Sequence, residues 1–151
     1  MRLVIQRVKN AGVKVGGKHV SKIGHGLFVL LGVGEDDSEK KAEILAEKLS
    51  KLRVMSLDSA RDKAKEKRKM NYSVKDVDGE VLVVSQFTLL ADTSAGNRPS
   101  FIKAGRPEFA EKLYLHFVKR LESLGIKVAT GEFGSYMNIE AELDGPVTII
   151  I

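Results

Sequence analysis

Apolar residues along the chain alternate in some stretches and recur at helical spacing in others. Leu3, Ile5 and Arg7 alternate with Arg2, Val4, Gln6 and Val8, which predicts a strand over 2–8. Val13-Lys14-Val15 and a short strand near His19-Val20 flank Gly16-Gly17, as the arms of a hairpin do. Gly26 to Val33 (GLFVLLGV) is apolar throughout, so it reads as a buried central strand. Asp37 or Ser38 can cap a following helix, which runs to about Lys51 with Ala42, Leu45, Ala46, Leu49 and Leu52 on one face. Arg53 to Ser56 is a predicted short strand, and Glu80 to Leu90 (EVLVVSQFTLL) a second buried one. Pro107 suits the first turn of a helix, whose stripe is Ala110, Leu113, Tyr114, Phe117, Val118 and Leu121 and whose stop is Gly125. Met137, Ile139, Ala141 and Leu143 alternate with Tyr136, Asn138, Glu140 and Glu142, a half-exposed strand with one clean apolar face. Val147 to Ile151 forms a last strand. The expected fold class is α+β: residues 1–151 as a single domain, with a mixed or antiparallel sheet curled like a barrel and two main helices.

Composition narrows the function classes. At 151 residues the chain is long enough for one real core. Its 43% hydrophobic and 30% charged residues describe a globular protein rather than a disordered one. No apolar run approaches the roughly 20 residues of a membrane helix. The opening MRLVIQRVKN turns charged again at Arg7 and Lys9, unlike a secretory leader, so a cytoplasmic location is expected. The absence of cysteine removes thiol nucleophiles, disulfides and thiolate zinc sites. His19, His25 and His116 stand far apart without metal-ligand spacing, so no metal is expected. Gly32-x-Gly34 lacks the third glycine of a dinucleotide loop, and Glu35, Asp36 and Asp37 would repel phosphate. A net charge of +5 suits a polyanionic partner. The densest basic cluster, Arg61, Lys63, Lys65, Lys67, Arg68 and Lys69, reads equally as a solvated loop or as a contact for an RNA backbone.

Two segments break local rules. Ser85, Gln86 and Thr88 put polar groups into an apolar strand, where each needs a partner. They are either strand-end caps or site residues; a bare Ser or Thr also needs a base before it can attack. Asp144-Gly145-Pro146-Val147-Thr148 puts a proline, which cannot donate to a ladder, into a strand pattern. Asn97-Arg98-Pro99-Ser100-Phe101, Lys69-Met70-Asn71 and Gln6-Arg7-Val8 complete an ordered set. Five such motifs in this order over nearly the whole chain resemble the D-aminoacyl-tRNA deacylase family. One position departs from its pattern: the family usually carries Asn before Asp-Gly-Pro, and here Leu143 stands there, continuing the alternation of Met137, Ile139 and Ala141 and expected to pack where the Asn would hydrogen-bond.

The resemblance implies a cofactor-free esterase that removes D-amino acids, or glycine, from the terminal adenosine of tRNA while rejecting L-esters. It implies a homodimer in which a cis Gly145-Pro146 step of one subunit enters the site of the other and presents carbonyls to the substrate's α-amino group. Ser85, Gln86, Phe87 and Thr88 would line the ester pocket, with the Phe87 and Thr88 N–H groups as oxyanion donors and water as the favoured attacking group, the Thr88 hydroxyl being its rival. Arg7 would brace the Gly-Pro loop, and Met137 would close the pocket mouth. Two rivals from other classes are a nucleic-acid-binding module without activity and an esterase or amidase for small molecules.

Overall fold

A computed structural model describes residues 1–56 and 69–151. The basic cluster singled out above lies, except for Lys69, outside the described residues. The strands are β1 (Arg2–Val15), β2 (Lys18–Ile23), β3 (Gly26–Gly32), β4 (Glu80–Ser85), β5 (Lys127–Thr130) and β6 (Asn138–Ile150). The main helices are α1 (Glu39–Lys51) and α2 (Pro107–Ser123).

One mixed sheet runs β2-β1-β3-β4-β5, and β6 pairs with β1. β1 is antiparallel to β2, β3 and β6, whereas β3–β4 and β4–β5 are parallel. Chain segments containing α1 and α2 make the two parallel crossovers, as a parallel pair requires. The sheet curls into a nearly closed barrel, and the α+β class expected from the sequence is the observed one.

Both faces of the central strands are buried. Leu27, Val29 and Leu31 of β3 meet Leu3, Ile5, Val81 and Val83 under Ala42, Ala46, Leu49, Phe117 and Leu121 of the helices. Phe28 turns to the opposite face and joins Val8, Ala11, Val13, Ile23, Leu82 and Val84. This is why GLFVLLGV carries no polar alternation. α1 and α2 are also tied by Glu39–Lys112 (2.9 Å), Glu43–His116 (2.9 Å) and Glu47–Arg120 (2.5 Å), one pair per turn.

Several elements differ from the sequence reading. The two strands expected over 137–143 and 147–151 are one, β6. β1 does not stop at Val8 but continues to Val15. An irregularity at Val8/Asn10 lets Lys9 slip out of register, so the residues facing the second core pass from Val8 to Ala11 and Val13, the change of parity that one extra residue in a ladder requires. Arg53–Ser56 is not a strand; its only pairing among the described residues is the isolated bridge Met55↔Tyr72. The strand expected over 80–90 ends at Ser85, and Phe87–Leu90 turns into a 3₁₀ helix. β5, absent from the sequence reading, is only four residues long and sits between Gly125 and Gly131.

Candidate active site

The break after Ser85 has a physical cause. Gln86 N–H donates to Leu31 O at 2.8 Å and closes the β3–β4 ladder. The following turn then lies over Gly32, where an added Cβ would stand 2.5 Å from Leu90 Cδ2 and 3.0 Å from Gln86 O. A side chain at position 32 would therefore push the turn away. The turn's far end is held by Arg2, whose Nη1 donates to Leu89 O at 2.7 Å. Its first internal bond runs from Leu89 N–H to Gln86 O (3.3 Å). The Phe87 and Thr88 N–H groups precede that bond, and the first donors of a helical turn have no partner inside it.

Ser85, Gln86 and Phe87 line a cavity of about 750 Å³. Met137 and Ile139 form part of its wall, and Phe101, Arg106 and Phe133 another part. Thr88 is exposed on the next residue of the turn, and its hydroxyl accepts from the Gln86 amide. Among the described residues no histidine, lysine or carboxylate hydrogen-bonds that hydroxyl. Phe87 and Phe101 meet edge to face with ring centroids 5.0 Å apart. Phe133 anchors its own loop on Tyr114 (5.8 Å between centroids). Tyr114 is locked in turn by its donation to Val83 O at 2.9 Å, and burial pushes its phenol up to about 12.

The Gly-Pro step is built on β6. Gln6 pairs with Thr148 and Val8 with Leu143, so Arg7 alone faces the four residues from Asp144 to Val147. The surplus bulges out of the ladder, and Pro146 needs no strand hydrogen bond there. The Gly145–Pro146 peptide bond is cis, and both residues are exposed. Gly145 has φ 130°, a region that favours glycine. Arg7 is buried behind the bulge. Its Nε lies 2.8 Å from Asp144 Oδ2 and 3.2 Å from Asp144 O, and its Nη1 donates to Val54 O at 2.9 Å. The guanidinium thus reaches the residue before Gly145 rather than the Gly145 and Pro146 carbonyls.

The structure therefore brings Ser85, Gln86, Phe87 and Met137 to one cavity and Arg7, Gly145 and Pro146 to another place; the Gly-Pro residues do not line the cavity of their own chain. Leu143 does not pack as expected. It is 44% exposed and Ile139 37% exposed, so the apolar face of β6 is open in the single chain. Sequence reading missed Phe101, Arg106, Phe133 and Tyr136 as cavity walls. Gly131 and Gly134 around Phe133, and Pro107 after Arg106, are turn signals that could have marked those loops. No three His, Cys, Asp or Glu side chains cluster as metal ligands among the described residues, and no described helix is long and apolar enough to cross a membrane.

A family model described as D-Tyr-tRNA(Tyr) deacylase matches residues 4–151. The chain belongs to this deacylase family. A D-aminoacyl-tRNA deacylase of Desulfatibacillum aliphaticivorans is 50% identical over 151 residues, covering 100% of this chain and 98% of that protein. The D-aminoacyl-tRNA deacylase of Thermosipho africanus is 48% identical, covering 100% and 96%. These relatives are hydrolases, and membership of the deacylase family makes this chain an enzyme of that class. The solved structure of a c-Myc DNA Unwinding Element Binding Protein superimposes with a TM-score of 0.88 at 38% identity, covering 100% of this chain and 97% of that one. A probable eukaryotic D-amino acid tRNA deacylase shares the fold with a TM-score of 0.82 at 16% identity, covering 99% and 97%.

Proposed function

We propose that residues 1–151 act as one deacylase domain that hydrolyses the ester of D-aminoacyl-tRNA and rejects L-esters. The carrying observation is the divided site: an ester-sized cavity at Ser85-Gln86-Phe87 and an exposed, braced Gly145-Pro146 bulge that does not line it. A second subunit would complete each cavity with its own bulge. The uncovered apolar residues of β6 around the bulge, Ile139, Leu143 and Ile150, support such a homodimer.

In that assembly the Gly145 and Pro146 carbonyls fix the substrate's ammonium. A hydrogen or a D side chain then fits, and an L side chain strikes rigid backbone, so selectivity comes from exclusion. Glycine carries no side chain to exclude, so glycine mischarged on tRNA(Ala) is a second substrate. Attack on the ester carbon places negative charge on the carbonyl oxygen. The Phe87 and Thr88 N–H groups, free of the turn's own ladder, are the donors for it; one such donor is worth about 3–4 kcal/mol. Water is the nucleophile, because the Thr88 hydroxyl accepts from Gln86 and no base adjoins it. Release of the D-amino acid and intact tRNA would serve chiral proofreading in the cytoplasm.

The test is hydrolysis of one tRNA charged in parallel with D- and L-tyrosine. Loss of only the D-ester supports the reading, and loss of both removes the chiral clash. A second reading, nucleic-acid binding without turnover, has the 38% identical DNA-element-binding relative behind it. Tight tRNA binding with neither ester lost would favour it.

A further inference from the structure

We infer that Tyr136 and Arg106 form a subsite for the nucleotide that precedes the ester-bearing adenosine, Tyr136 stacking its base and Arg106 pairing its phosphate. The inference rests on the deacylase reading and extends it beyond the reacting nucleoside.

Tyr136 is 90% exposed although it lines the cavity. Among the described residues its ring has no aromatic contact and its hydroxyl no hydrogen bond. Its backbone is nevertheless pinned on both sides. Phe133 is anchored on Tyr114, and Ser135 closes a turn onto Glu132 through N–H to O (3.2 Å) and Oγ to Oε1 (2.5 Å). On the other side Met137 packs into the cluster of Phe28, Leu82 and Val84. A bare aromatic face on a fixed backbone loses little entropy when a base lands on it.

Size and charge identify the occupant. A cavity of about 750 Å³ takes one aminoacylated nucleoside and no polynucleotide. The RNA strand must leave over the rim, and Tyr136 and Arg106 both stand there. Arg106 is exposed, immediately precedes α2, and has no ion-pair partner among the described residues. Glu132, on the loop that carries Tyr136, does not line the cavity and accepts from Ser135 Oγ. A single strand passing a free guanidinium and a bare aromatic ring finds a phosphate contact and a stacking platform, the two devices by which proteins hold unpaired RNA.

The experiment compares two D-tyrosyl esters, one on adenosine alone and one on the trinucleotide CCA, with wild-type, Tyr136→Ala, Tyr136→Trp and Arg106→Gln proteins. The readout is the ratio of kcat/KM for the trinucleotide to that for adenosine. Tyr136→Ala is expected to lower this ratio roughly five- to hundredfold, the range for one lost base stack, and Tyr136→Trp to retain it. Arg106→Gln is expected to reduce the salt slope for the trinucleotide by about 0.7, one single-strand phosphate. Equal losses on both esters, or a changed sedimentation coefficient for Tyr136→Ala, overturn the inference, because Tyr136 then serves the pocket or a subunit contact. A wild-type ratio of one overturns it while leaving the deacylase reading intact. Wild-type protein that hydrolyses D-tyrosyl-tRNA but neither short ester overturns the inference, because recognition then lies beyond CCA, and hydrolysis of none of the three removes the deacylase reading itself.

Discussion

Arg7 and Asp144 pair across the gap where β6 leaves the ladder, Nε to Oδ2 at 2.8 Å, and the same guanidinium holds Val54 O. One side chain therefore ties the residue before the Gly-Pro step to the segment after α1. Arg7→Ala would leave a mostly buried carboxylate and a buried carbonyl unpaired. The expected cost is about 2–4 kcal/mol, below the full figure for a buried pair because Asp144 is partly exposed. Urea unfolding measures it. The same variant should narrow the D-over-L ratio in deacylation, since the bulge loses its brace.

Gly32 is the foundation of the Ser85–Thr88 turn. Gly32→Ala places a methyl 2.5 Å from Leu90 Cδ2 and 3.0 Å from Leu89 Cβ. Leu90 can rotate, but Gln86 O, also at 3.0 Å, is backbone and must shift. Overpacking of this kind costs about 1–3 kcal/mol. A shift of the turn moves the Phe87 and Thr88 N–H groups, so kcat should fall about tenfold or more while KM changes little. Single-turnover kinetics on a D-aminoacyl-tRNA checks the split, and a rise in KM with kcat unchanged would argue against backbone donors.

The two variants bear on how much of the molecule was legible in its sequence. Helix α1, with its Ser38 cap, and α2, with Pro107 at the start, followed from local rules because caps and stripes act within a few residues. The 3₁₀ turn did not. Phe87, Leu89 and Leu90 continue an apolar pattern, and what turns the chain is Gly32 of another strand together with Arg2. Arg7 shares the Leu3–Ile5 face by alternation, and it is buried there. Its partners, Val54 and Asp144, are set by register across the sheet and lie beyond any local pattern. The same holds for Leu143: alternation predicted an apolar face, but whether that face is covered by the chain or by another molecule is not a property of alternation.

Thr88 separates two mechanisms. If its hydroxyl only accepts from Gln86, Thr88→Ala keeps the backbone N–H and should retain most of the rate, within about tenfold, since one neutral hydrogen bond is worth roughly 0.5–1.5 kcal/mol. Rapid quench with a D-tyrosyl ester should then yield no aminoacyl-enzyme. A trapped ester on Thr88 would make the hydroxyl the nucleophile.

The α1–α2 ion pairs set an acid limit. A hydrogen bond from Lys112 holds the Glu39 carboxyl below its ordinary 4.5, and one from Arg120 does the same for Glu47. Carboxyls depressed in the folded state bind protons more readily when unfolded. Their contribution is therefore complete above about pH 4.5 and declines as pH falls through the lower folded values. Urea midpoints should be level between pH 5 and 7 on this account and drop below about pH 4. Glu39→Gln with Glu47→Gln should flatten part of that drop. Because both carboxylates are solvent-facing, the effect should also shrink in 1 M salt, where the screening length is about 3 Å.

The divided site makes the strongest demand. If Gly145 and Pro146 complete the partner's cavity, damage to the bulge and damage to the cavity can complement each other. Ala110→Trp fills the cavity from α2, and Gly145→Ala with Pro146→Ala removes the bulge's shape. Each variant alone should be inactive. Mixed in equal amounts after unfolding and refolding, half of the dimers carry one variant of each kind, and each of those has one working site. About one quarter of wild-type activity should return, the statistical share for a two-fold dimer. If the bulge served its own subunit, the working cavity and the working bulge would never meet, and the mixture would stay inactive. Leu143→Lys on the exposed face of β6 provides the companion test. It should yield monomers by sedimentation and lose activity with them, whereas full activity in a monomer would break the cross-subunit reading.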